Sequence, residues 1–226
     1  MSATLLGTLT IGQAPRADIT PILLEHLPAG VECVHMGVLD GLDRDTIARY
    51  FPVAPGEAVL TTRLLDGGAV ILGKNAVRAA VIDKLGRLEA RGCSIIALLC
   101  TGEFHGLSCD RAWLVEPDLL VPPVLTALSG PRRAGILVPL AEQMTSEGAK
   151  WRSLQQPPCY AAASPYNSTE QQLGAAALEL KAQRAEVIVM DCMGYTEQHR
   201  RIVHEATGLP VILSNALLAR LLAALV

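Results

Sequence analysis

Two tripeptides carry the residue types most suited to chemistry, Cys100-Thr101-Gly102 and Cys192-Met193-Gly194. Each closes a short apolar run, 94–100 in one case and 186–192 in the other, and each run follows a long stretch of helical periodicity. A thiol works as a base or nucleophile only when ionised, and the free N–H groups at the start of a helix favour the negative charge. A cysteine at the carboxyl end of a buried strand, with a helix to follow, meets that condition. The bland reading of such a residue is a small buried hydrophobe, since free cysteine is among the most buried residue types. The matched pair is what favours chemistry at Cys100 and Cys192, whereas Cys33, Cys93, Cys109 and Cys159 lack the setting and read as core thiols.

Other polar residues are weaker candidates. Gly12-Gln13-Ala14-Pro15-Arg16 separates the first apolar segment from a helical pattern and forms a turn of a size to hold a phosphate or carboxylate. Arg16 could fork onto a substrate carboxylate, or it could be a solvated arginine at a helix start. Glu103 and His105 follow Cys100 closely enough to be acid–base partners, although a Glu at that place normally only complements a helix dipole. His199 and His204 lie five apart, off the spacing of a helical zinc pair, so no metal site is expected. Gly12 lacks the further glycines of a dinucleotide turn. No cofactor is expected.

The elements that must position these residues follow from periodicity and punctuation. Strands are expected at 3–11, 31–39, 94–100, 133–138, 159–164, 186–190 and 210–213, with two short ones near 61–64 and 67–72 joined by an Asp66-Gly67 turn. Helices are expected from about Ile19, from Asp43 or Asp45 to Tyr50, over 74–91, over most of 141–154, to about Arg184 behind a capping box at Ser168-Thr169-Glu170-Gln171, over 196–206 and from Asn215 onward. Strands alternating with helices predict an α/β protein with parallel sheets, and such sheets bind ligands at the carboxyl ends of their strands.

Composition agrees and excludes some partners. Half of the 226 residues are hydrophobic but only 4% are aromatic, a filling typical of sheets covered by helices. The net charge of -3, with no basic runs, predicts no nucleic-acid or membrane partner. No apolar stretch reaches the roughly 20 residues of a membrane span, and no secretory signal is visible. Six irregularly spaced cysteines fit reduced thiols and a cytoplasmic location.

Five motifs occurring in order extend these readings: 10–16, 98–102, Gln155-Gln156-Pro157-Pro158, 190–194 and Leu213-Ser214-Asn215. Together they resemble the AroM family over essentially the whole chain, and that family is similar to a distant branch of the aspartate/glutamate/hydantoin racemases. The resemblance implies two flavodoxin-like lobes related by a pseudo-twofold axis, with the site in the cleft between them. The first lobe would span 1–110 with 208–226 returning to it, and the second 111–207. It also implies a cofactor-independent racemase or epimerase of a small carboxylic or amino acid, in which Cys100 and Cys192 face opposite sides of the substrate α-carbon. Gly12, Gln13, Arg16, Thr101, Gly102, Asn167, Ser168, Thr169, Gly194 and Asn215 would bind the substrate. A homodimer is the expected assembly. Such racemases commonly carry threonine after the second cysteine, where this chain has Met193, and Asp191 before Cys192 would raise the thiol pKa. A one-thiol decarboxylase and a carboxylate-binding protein without turnover therefore stay open.

Overall fold

The chain folds into two four-stranded parallel sheets whose central strands are short, buried runs rich in Leu, Ile and Val, with partly exposed edge strands. The computed structural model describes residues 4–226, so the expected strand start at Ala3 lies outside the described residues. In chain order the first part holds β1 (Leu5–Thr10), α1 (Thr20–His26), β2 (Glu32–Gly37), α2 (Arg44–Tyr50), β3 (Val59–Arg63), β4 (Ala69–Gly73), α3 (Lys74–Ala90), β5 (Ile95–Leu99), β6 (Trp113–Val115) and α4 (Pro117–Ser129). The second part holds β7 (Ala134–Val138), α5 (Gln143–Ser146), β8 (Cys159–Ala162), α6 (Glu170–Ala182), β9 (Val187–Met190), α7 (Glu197–Thr207), β10 (Val211–Leu213) and α8 (Ser214–Ala223).

The sheets are ordered β2-β1-β5-β6 and β10-β9-β7-β8. Counting the four sheet strands of each lobe from its own start, both read 2-1-3-4, so the two lobes repeat one topology. Such an order reverses direction between its first and third strands, and the crevice at that switch point is where ligands bind. Here the switch points are the carboxyl ends of β1 and β5 in one lobe and of β7 and β9 in the other. The antiparallel β3–β4 hairpin is an addition to the first lobe.

The last helix of each lobe crosses to the other. Val121 and Leu125 of α4 pack with Ile136 and Val138 of β7 and Val187 and Val189 of β9, whereas Leu218, Ala219 and Leu222 of α8 pack with Leu6 of β1, Ile95 and Ala97 of β5, and α1. This reciprocal exchange binds the lobes through apolar contact. Within the sheets β6 adds to β5 and β10 to β9. Hydrogen bonding between neighbouring parallel strands, rather than position along the chain, assigns them.

Local chemistry explains several helix ends. Asp43 accepts from the Thr46 N–H at 2.8 Å to start α2, Thr169 and Gln172 form a reciprocal capping box on α6, and Gly208 ends α7 in the left-handed region at φ 71°. Two regions depart from expectation. The helix expected over most of 141–154 shortens to α5 and one 3₁₀ turn, because Trp151 turns inward and is buried in the core with α4 and β7. Helix α4 was hidden by Pro122 and Pro123 inside it, a pattern that normally breaks helices.

Candidate active site

Both cysteines lie one or two residues beyond the third strand of their lobe: Cys100 directly after β5, and Cys192 two residues after β9. The two switch points face one another, and Cys100, Cys192, Ile11, Pro139, Leu60 and Tyr166 are among the residues that line one cavity between them. A water molecule's centre can reach about 30 Å³ of it, room for a water or two and not for a substrate. Leu60, Thr61 and Thr62 of the β3–β4 hairpin form one wall.

The Cys-x-Gly spacing has a physical reason. The Gly102 N–H donates to the Cys100 Sγ at 3.4 Å, and the Gly194 N–H donates to the Cys192 Sγ at 3.5 Å. Each glycine also stands where a side chain would not fit. A Cβ on Gly102 would come within 2.8 Å of Leu60, and one on Gly194 within 2.3 Å of the Tyr166 hydroxyl. Burial pushes both thiols above their ordinary value, Cys100 to about 12. The Gly102 N–H and the Lys150 charge oppose this at Cys100, while Cys192 and Asp118 add to it. At Cys192 the opposing influences are the Gly194 N–H, the Arg16 charge and the Tyr166 hydroxyl, with Asp191 pushing upward.

Arg16 is buried beside the cavity, and all five of its N–H donors are occupied. Nε and Nη2 fork onto Asp18 at 2.9 and 2.7 Å, Nη1 reaches Thr10 and Thr62 at 3.1 and 3.3 Å, and Nη2 also donates to the Tyr166 hydroxyl at 3.0 Å. The fork expected for a substrate carboxylate is thus spent on Asp18, a buried ion pair across two residues. Tyr166 was not among the expected residues; its only signal was an aromatic residue in the loop 163–169 ahead of the α6 cap.

A second network joins the lobes behind the thiols. Lys150 Nζ pairs with Asp191 Oδ2 at 2.5 Å, with both side chains almost fully buried, and donates to the Thr101 carbonyl at 2.8 Å. The Thr101 hydroxyl donates to the Asp191 carbonyl at 3.2 Å. The residues after Cys100 and before Cys192 are therefore tied together. Lys150 also escaped the sequence reading, because it lies in the irregular segment expected to be helical.

Several of the expected substrate-binding residues have partners in the local structure. Gln13 donates to the Leu39 and Leu42 carbonyls and accepts from the Leu65 N–H, which anchors the hairpin to the β2–α2 loop. Gly12 allows that hairpin to approach, since a Cβ there would meet Thr62 Oγ1 at 2.4 Å. Asn167 is exposed, Ser168 closes the turn onto the Ser164 N–H, and Thr169 caps α6. Asn215 is fully buried and donates to the Met193 and Tyr195 carbonyls, holding the loop that carries Cys192. Thr101, Gly102 and Arg16 do line the cavity. His105 is 81% exposed and only 3.7 Å from Glu103, so this pair faces solvent. Among the described residues no group of three or more His, Cys, Asp or Glu is arranged to hold a metal, and no helix is long and apolar enough to cross a membrane.

The duplicated lobes with facing switch points define a two-lobed α/β fold of the racemase type. Solved structures share it at low sequence identity. A glutamate racemase isoform from Bacillus anthracis superposes with a TM-score of 0.70 at 12% identity, over 100% of this chain and 82% of that one. An aspartate racemase from Picrophilus torridus gives 0.59 at 13% over 96% and 91%, and an arylmalonate decarboxylase gives 0.59 at 14% over 98% and 91%. The AroM protein family model matches residues 6–226, and the chain belongs to that family. No curated protein matches it in sequence.

Proposed function

We propose that the protein is a cofactor-independent isomerase of a small carboxylic or amino acid, with Cys100 and Cys192 as its acid–base pair in the cytoplasm. One observation carries this reading: two thiols, each at the third-strand end of a repeated topology and each facing a glycine N–H, line a single cavity between the lobes. One thiolate takes the α-proton and the opposite thiol returns one to the other face. Deprotonating a carbon acid needs a dry site with fixed donors, and the burial of both sulfurs supplies the first. The similarity to aspartate and glutamate racemases supports the same reaction class.

The unequal surroundings of the thiols favour a second reading, a decarboxylase that protonates its product from one cysteine, and the fold of arylmalonate decarboxylase supports it. Both are tested by incubating D- and L-amino acids, hydantoins and substituted malonates in deuterated water. The two-thiol reading expects α-deuterium uptake with inversion, lost in both Cys100→Ser and Cys192→Ser. Loss of carbon dioxide that survives one of these changes selects the decarboxylase. Ligand-dependent thermal stabilisation with neither exchange nor product would leave a binding protein and overturn both.

A further inference from the structure

The two thiols differ in what surrounds them. Arginine can only donate hydrogen bonds, so at 3.0 Å from Arg16 Nη2 the Tyr166 oxygen is the acceptor and its own hydrogen must point elsewhere. The other polar contact of that hydroxyl is the Cys192 Sγ at 3.9 Å. Once Cys192 is ionised its sulfur can only accept, so Tyr166 is then the donor of this contact. Burial raises the phenol well above its ordinary pKa, so it keeps the proton it donates. Cys192 thus receives two donors, the Gly194 N–H and the Tyr166 O–H, with a guanidinium behind the second; Cys100 receives one, the Gly102 N–H.

From this geometry we propose that Tyr166, aimed by the buried Arg16–Asp18 pair, makes Cys192 rather than Cys100 the thiolate of the pair. Ionisation releases the Cys192 proton to solvent, and the sulfur left behind is held by two donors. Arg16 is a positioning residue that acts through Tyr166 and also adds its own charge at Cys192. The inference rests on the same cavity as the proposed isomerase and assigns its direction: Cys192 is the base in the enzyme's first ionised form, and Cys100 the acid. The charged and titratable groups that bear on Cys192 are Arg16 from the β1–α1 loop, Tyr166 from the β8–α6 loop, Cys100 from the end of β5, and Asp191 and Tyr195 from its own loop, with Asp18 acting on Tyr166. Lys150 pairs with Asp191 beside Cys192, while its charge also favours ionisation of Cys100, where Asp118 opposes it.

The test needs no substrate. The intact protein is alkylated with iodoacetamide across pH, and the rate at each cysteine is read by peptide mass spectrometry. The pH midpoint at each sulfur reads its ionisation, because access scales the rate without moving the midpoint. Cys192 is expected to show the lower midpoint, and Tyr166→Phe is expected to raise it by about one pH unit, a tenfold loss of thiolate below the midpoint, while Cys100 stays within a few tenths. A Cys100 midpoint below that of Cys192 in the unaltered protein would overturn the proposal whatever the variant does. So would a Tyr166→Phe protein with an unchanged Cys192 midpoint, since a purely structural tyrosine alters thermal stability and not a titration. A failure to find any turnover would instead count against the isomerase reading and leave this order of ionisation standing.

Discussion

Replacing Gly194 by alanine is the sharpest probe of the site's packing. The glycine does not occupy the left-handed region, so alanine adopts its backbone without strain and only the added methyl acts. That methyl would lie 2.3 Å from the Tyr166 hydroxyl and 2.5 Å from Cε1 and Cζ, and turning the ring about its own axis leaves Cζ and the hydroxyl in place, so the whole ring must swing aside. The ring must move by about an ångström. Overpacking of this kind costs about 1–3 kcal/mol, and the move breaks the charged hydrogen bond from Arg16, worth about 1.5–3 kcal/mol. The expected loss is about 3 kcal/mol, a large part of the ~5–15 kcal/mol that a domain has in total. Urea unfolding measures it. Gly86 in α3 is the control: no atom lies within 4 Å of a Cβ there, so Gly86→Ala should gain about 0.5–1 kcal/mol from helix propensity. A double-mutant cycle assigns the cause, since Gly194→Ala in a Tyr166→Ala background should cost almost nothing. A Gly194→Ala protein within 0.5 kcal/mol of the parent would refute the packing argument.

Two further outcomes test the surrounding network. Lys150→Met should destabilise by about 3–5 kcal/mol by leaving the Asp191 charge buried without its cation, and adding Asp191→Leu should recover most of the loss; urea midpoints that do not respond to the second change would count against the pair. Glu116, buried at the start of α4 with Asp118 near it, is raised by desolvation and then by that neighbour to about 7. Its folded value lies above its unfolded one, so its contribution is present in full below about 4.5 and is lost as pH rises through about 7. Glu116→Gln should remove a fall in stability on the order of 1–3 kcal/mol across that window, and a thermal-unfolding profile with the same slope in both proteins would contradict the assignment.

Much of this molecule is legible from local rules. Apolar runs marked every sheet strand except the three-residue β6, the Asp43 and Thr169 caps marked two helix starts, and Gly92 and Gly208 marked helix ends, because each depends only on neighbours within one or two turns. The recurrence of Cys-x-Gly behind an apolar run pointed to both sulfurs for the same reason: strand end, thiol and glycine N–H are adjacent in the chain. What tertiary structure alone decided lies at long range. Tyr166 reaches Arg16 across 150 residues, Thr101 reaches Asp191 across 90, and Lys150 bridges both in a segment with no regular periodicity. The same contacts show why Arg16 and Gln13, which look free in the sequence, are fully committed to protein partners, and why α4 and α8 exchange lobes to cover each other's sheets. Donor saturation is a property of the folded surroundings, so the sequence determined which residues could act, and only the fold determined which of them had hydrogen bonds left to give.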